Sequence, residues 1–167
     1  MQKKSNQVIS YKLGRPEEPK ALLIRHILVP YDDSVYSDAA FDIALDLAKK
    51  YGSKVSAVSV MYSAIAGSSF LDFTAHQTSI EKSRLRRLTK IFKEMKLLAT
   101  RYKIPLTTEI IMSNSVAETI LTFASSQKAD LIVMGTRGRA GGPRHMRLGS
   151  VAMDVSQYAS CPVLFAK

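Results

Sequence analysis

The densest set of ligand-binding residue types lies between Met134 and Ser150: Gly135, Thr136, Arg137, Gly138, Arg139, Gly141, Gly142, Arg144, His145, Arg147, Gly149 and Ser150. Five glycines and four arginines share this segment, and no acid occurs from 131 to 153. Glycine lets backbone turn tightly and approach a ligand without a Cβ in the way. Arginine supplies charge for phosphate. Gly149-Ser150 precedes apolar residues at helical spacing, and free N–H groups at a helix start favour an anion. Ser150 could donate its hydroxyl to a phosphate or cap that helix. The segment is no Walker loop, since no Gly-Lys-Ser/Thr follows, and it lacks GxGxxG. A turn-rich surface loop with solvated arginines is the competing reading.

Other candidates are weaker. Asp32-Asp33 could serve acid/base chemistry or hold Mg2+. Against that, one carboxylate could cap a helix while the other meets ligand or solvent. His26, His76 and His145 have no metal-ligand spacing. His26 begins a strand, and His145 adds to a phosphate surface. Cys161 is the single cysteine, so intrachain disulfides and thiolate zinc sites are excluded, and it reads as a structural thiol. Ser150 has no evident His and acid partners for a hydrolase triad.

These residues must be placed by strands and helices. His26–Pro30, Val55–Met61, Leu106–Met112, Leu131–Met134 and Pro162–Phe165 read as five strands. Helical spacing joins Ala39 to Ala48, closed by Gly52 as a C-terminal cap. It recurs from about 78 to 103, from Val116 to Ala124, and from Ser150 to Tyr158. Residues 62–77 read as a loop, and Asn114 as a candidate for left-handed backbone. Strands alternating with helices predict an α/β, doubly wound, open parallel sheet of five strands with helices on both faces. In such sheets ligands sit beyond the carboxyl ends of strands at a switch point, here after strands one and four. Residues 1–24 read as a flexible N-terminal extension, and 25–167 as the domain.

At this point the chain resembles the universal stress protein family. The resemblance is carried by Ile27-Leu28-Val29-Pro30-Tyr31-Asp32-Asp33-Ser34, by Ala129–Gly138, by Gly149-Ser150-Val151-Ala152 and by Cys161-Pro162-Val163-Leu164. It implies a five-stranded parallel sheet that pairs as a homodimer through its last strand. One branch of the family binds ATP with Gly, two residues, Gly, nine residues, then Gly-Ser or Gly-Thr. Gly135, Gly138 and Gly149-Ser150 fit, but ten residues separate Gly138 from Gly149. The resemblance further implies Asp32 at the ribose or adenine side, Pro30 and Val60 lining the base, and Met134 beside it. Gly138, Gly149, Ser150 and Val151 would hold phosphates, and Gly135 and Arg137 complete the candidate set. The ligand would be ATP, or AMP or another adenine nucleotide, with room for Mg2+. Asp33 departs from the family's glycine and puts an adverse charge near a nucleotide unless it points away. The implied role is a regulator or sensor, at most a weak ATPase. The alternative is a dimeric interaction protein without nucleotide, acting through its dimer surface and its basic helix.

Charge and composition bound the rest. The chain has 167 residues, with 24 Lys+Arg against 14 Asp+Glu, giving +10. The excess divides into +4 in residues 1–25, +7 in 78–103 and +4 in 131–167, with the segments between negative. Lys82, Arg84, Arg86, Arg87, Lys90, Lys93, Lys96, Arg101 and Lys103 lie on the long helix. They offer either a solvated face or a surface for an acidic protein, nucleic acid or anionic membrane. Stacking aromatics are sparse there, against single-strand recognition. No apolar run is long enough to span a bilayer, so a cytoplasmic protein is expected.

Overall fold

A computed structural model describes residues 23–62, 74–139 and 148–167. Most of the N-terminal extension, most of the 62–77 loop and the 140–147 part of the Gly/Arg segment, with His145, lie outside the described residues, as does His76's side chain. Five strands form one parallel sheet: β1 (His26–Pro30), β2 (Lys54–Tyr62), β3 (Leu106–Ser113), β4 (Leu131–Gly135) and β5 (Val163–Ala166). Their order is β3-β2-β1-β4-β5. The chain grows outward from β1 to β3 and then crosses back to the other side of β1. The reversal lies between β1 and β4, which are buried at every position. Such continuous apolar runs are what a strand covered on both faces requires.

Four helices cover the sheet. α1 (Val35–Tyr51) and α2 (Thr74–Arg101) bury Phe41, Ala44, Leu88, Phe92, Met95 and Ala99 against Ile27, Val29 and Val133. α3 (Val116–Ser126) and α4 (Ser150–Tyr158) bury Ile120, Ala124, Ala152 and Val155 against Leu28, Val58 and Ile132. Neighbouring residues of β1 therefore point into opposite cores, as the two-residue period of a strand demands. α1 ends at Gly52, whose backbone is left-handed at φ 70°.

Three expectations need correction. α2 begins at Thr74, inside the stretch read as a loop, because its first turns lack the apolar period that marks the rest. Asn114 is not left-handed; among the described residues that conformation outside glycine falls to Asp33, Lys103 and Lys128. α2's arginines are not all on the solvent face. Arg84 is half-buried and turns toward a cavity, while Arg87 pairs with Asp33 and stays exposed. Lys82, Arg86, Lys93 and Lys96 remain exposed, and Lys90 approaches Glu94 at 4.0 Å.

Candidate functional site

The loop after β1 is built by short-range hydrogen bonds. Ser34 is the N-cap of α1, and its Oγ accepts from the Ser37 N–H at 3.2 Å while its own N–H donates to Ser37 Oγ at 3.0 Å. That reciprocal capping box satisfies donors a helix start leaves open. Asp32 does not cap the helix directly. Its Oδ1 accepts from the Ser34 hydroxyl at 2.6 Å and the Ser34 N–H at 3.2 Å. Its Oδ2 accepts from the Arg139 N–H at 3.0 Å, so one carboxylate joins the loop after β1 to the loop after β4.

Asp33 faces elsewhere. It sits at φ 65°, a region that asparagine and aspartate enter more readily than most side chains. Its carboxylate pairs with Arg87 of α2, at 2.5 Å from Nε and 3.2 Å from Nη2. The negative charge at this position is thus committed to α2.

The loop after β4 is pinned where it leaves and returns. Thr136 N–H donates to Ala166 at 2.9 Å, and Gly149 N–H donates to Thr136 at 2.9 Å. Gly149 is the N-cap of α4, so Ser150 occupies the first helical turn and is not the cap. No side chain caps α4, and its first N–H groups are left for water or a ligand. The glycines differ in what they allow. A Cβ at Gly135 would come within 2.6 Å of Tyr36 Cβ, so this glycine admits the start of α1 against β4. A Cβ at Gly138 would come within 2.7 Å of Asp32 Oδ2. At Gly149 the nearest atom would be 3.5 Å away, ordinary contact.

Between these loops lies a cavity of about 740 Å³, in the range that holds small organic ligands. The strand ends contribute Pro30, Asp32, Val58, Val60 and Met134. The second loop and α4 contribute Gly135, Arg137, Gly138, Gly149, Ser150 and Val151. All ten residues singled out from sequence are therefore brought together around one space. Several lining residues were not singled out: Tyr31, Ser37, Arg139, Ala152, Val116 and Ile120 of α3, and Arg84 of α2. The apolar ones follow helical spacing that marks only a core, and Arg84 could have been found from its place four residues before Leu88, on the buried stripe of α2.

Among the described residues, apolar strand ends and three arginines with a single carboxylate suit a ligand with a flat apolar part and an anionic part. Among the described residues no cluster of His, Cys, Asp and Glu is arranged to hold a metal ion. Tyr31 donates to Asp38 at 2.5 Å, and burial, with Asp38 beside it, holds its phenol protonated well above the usual range.

His26 belongs to the scaffold. Its Nδ1 lies 2.9 Å from the Gln127 carbonyl, which can only accept, so Nδ1 carries the proton. Nε2 then accepts from Ser56 Oγ at 2.8 Å, and Ser56 meets Thr107 Oγ1 at 2.7 Å. Burial lowers the His26 pKa. Burial also pushes the Cys161 thiol up, away from the thiolate a nucleophile needs.

The profile of the universal stress protein family matches residues 23–167. A universal stress protein of Methanocaldococcus jannaschii is 35% identical over 147 residues, covering 87% of this chain and 83% of the relative. The solved structure of the universal stress protein UspA from Lactobacillus plantarum superposes with a TM-score of 0.68 at 23% identity, over 86% of this chain and 98% of that one. A universal stress protein from Archaeoglobus fulgidus, solved in complex with dAMP, superposes with a TM-score of 0.60 at 18% identity, over 87% and 99%. No described helix is long and apolar enough to cross a membrane.

Proposed function

The chain belongs to the universal stress protein family, and from that premise we propose that it is a regulatory or sensor protein whose cavity binds an adenine nucleotide. ATP is the first candidate, and AMP the second, in keeping with the dAMP complex of the Archaeoglobus protein. The observation that carries this reading is the Asp32 bridge. It sets the apolar ends of β1, β2 and β4 beside the glycine loop and the uncapped start of α4 around one cavity. In this reading the base lies against Pro30, Val60 and Met134. The phosphates, with Mg2+ where ATP is the ligand, meet Gly138, Gly149, Ser150 and Val151.

The family's spacing is one residue longer here, between Gly138 and Gly149. The returning end is nonetheless held by Gly149 on Thr136, so the added length falls within the loop and not at its anchor. β5 pairs with β4 alone among the described residues, and its other edge is where we place a second copy of the chain in a homodimer. The exposed lysines of α2 are a surface for an acidic partner.

Calorimetric titration of the purified protein with ATP, AMP and adenosine, beside thermal melts, tests the reading. A ligand present at 100 times its Kd adds about 2.7 kcal/mol, a rise of roughly 5–11 °C in Tm for a domain of this size. No heat and no thermal shift at millimolar nucleotide would sink it and leave the dimeric interaction protein.

A further inference from the structure

α2 carries two arginines three residues apart that are used differently. Arg87 is held by Asp33, so the loop after β1 grips α2 beside the cavity. Arg84, nearly one turn earlier, lines the cavity itself. Its Nε is buried and has no hydrogen-bond partner among the described residues. No carboxylate among those residues forms an ion pair with it.

A buried guanidinium donor without an acceptor is unfavourable, and native structures seldom leave one so. Asp32, the one carboxylate that lines the cavity among the described residues, accepts from Ser34 and Arg139 and makes no bond to Arg84. A ligand in the cavity would supply the acceptor that the described residues do not. Guanidinium favours the paired oxygens of phosphate or carboxylate, which it can bind through two parallel hydrogen bonds. Arg84 also approaches from α2, which covers one face of the sheet, whereas α4 covers the other.

We propose that Arg84 is a ligand-contacting residue that binds phosphate oxygens from the side opposite α4. The Asp33–Arg87 pair is then a positioning device that fixes α2 so that Arg84 reaches the cavity. This rests on the nucleotide reading above and extends it in two ways. The phosphate is gripped from both faces of the sheet. The aspartate at the family's glycine position also gains a purpose, since its charge holds the helix that supplies a cation.

The test is calorimetry on the full chain with three probes, AMP, adenosine and tripolyphosphate, for the parent and for Arg84→Ala, Arg84→Gln, Arg84→Lys and Arg87→Ala. Arg84→Gln keeps much of the stem and guards against a variant that fails to fold. We expect Arg84→Ala and Arg84→Gln to weaken AMP about ten-fold, the equivalent of about 1.4 kcal/mol, and to leave adenosine unchanged. Arg84→Lys restores part of the loss, since it returns the charge without the fork, and Arg87→Ala weakens AMP by a smaller factor. AMP affinity within two-fold of the parent in both neutral variants overturns the proposal. An equal loss for adenosine does so too, because it marks a merely structural role. Tripolyphosphate separates this proposal from the nucleotide reading. If the parent binds it and not AMP, and Arg84→Gln weakens it, the nucleotide reading fails while the role of Arg84 stands. If the parent binds neither, the role of Arg84 fails as well.

Discussion

Gly135 offers the clearest separation of packing from binding. From sequence it ranks with Gly138 and Gly149 as a residue for a phosphate loop. In the structure an added Cβ would lie 2.6 Å from Tyr36 Cβ, 2.9 Å from the Tyr36 carbonyl carbon and 3.1 Å from the Arg137 oxygen. Carbon atoms in contact prefer about 3.5–4.0 Å, so the start of α1 must retreat by roughly 1 Å. It cannot do so freely, because the Ser34–Ser37 capping box and the Asp32 bridge fix that end of the helix. Overpacking of this kind costs about 1–3 kcal/mol. At about 2 kcal/mol, Gly135→Ala should lower Tm by roughly 4–8 °C. Gly149→Ala is the matched control. Its Cβ finds nothing nearer than 3.5 Å and its backbone φ is −63°, so only glycine's N-cap preference over alanine is lost, about 0.5–1 kcal/mol and a fall of roughly 1–4 °C. Paired calorimetric melts without ligand read both. A Gly135→Ala protein as stable as the parent would refute the argument that this glycine serves the α1–β4 contact.

Gly138→Ala should act on the site more than on the core. Its Cβ would press on Asp32 Oδ2 at 2.7 Å and displace the acceptor of the Arg139 N–H, a charge-assisted bond worth about 1.5–3 kcal/mol. Faster amide exchange at Arg139, with exchange in β1 and β4 unchanged, is the expected outcome, and unaltered exchange at Arg139 would count against the bridge. His26 gives a pH dependence. Its folded pKa lies below the usual 6.5, so the unfolded chain binds the proton more readily. The stability His26 contributes is therefore complete above about pH 6.5 and is lost as pH falls below that value toward the folded pKa. Melts between pH 7.5 and 5 should show Tm falling with acid, and His26→Gln should flatten the slope. An equal slope in both proteins would exclude His26 as the cause.

The sheet was legible because β1 and β4 are uninterrupted apolar runs punctuated by Pro30 and Gly135, and because helical spacing survives wherever a helix packs on a core. Strand and helix alternation was enough to read a parallel sheet, while the reversal between β1 and β4 is shown by the strand order of the structure. The glycines were legible as a group but not one by one. Whether a glycine admits a helix, as Gly135 does, or spares a carboxylate, as Gly138 does, depends on atoms distant in sequence. Arg84 is one of eight cations on α2, and the signal that sets it apart is its place four residues before Leu88, on the stripe that continues through Phe92, Met95 and Ala99.

Asp33 shows how a departure from a family pattern can be misread when charge is counted without direction. A second carboxylate after β1 reads as repulsion toward a phosphate. The left-handed backbone at φ 65° turns that side chain out of the cavity, and Arg87 receives it. Glycine would allow the same backbone with less strain but could not hold α2. Exposed ion pairs contribute little as a rule, and Arg87 is 69% exposed; what favours this pair is that the Asp33 side chain is only 12% exposed and meets Arg87 through two nitrogens. The small conformational cost at Asp33 is thus offset by a fixed helix. That helix in turn brings to the cavity the one arginine, among the described residues, that does not come from the glycine loop.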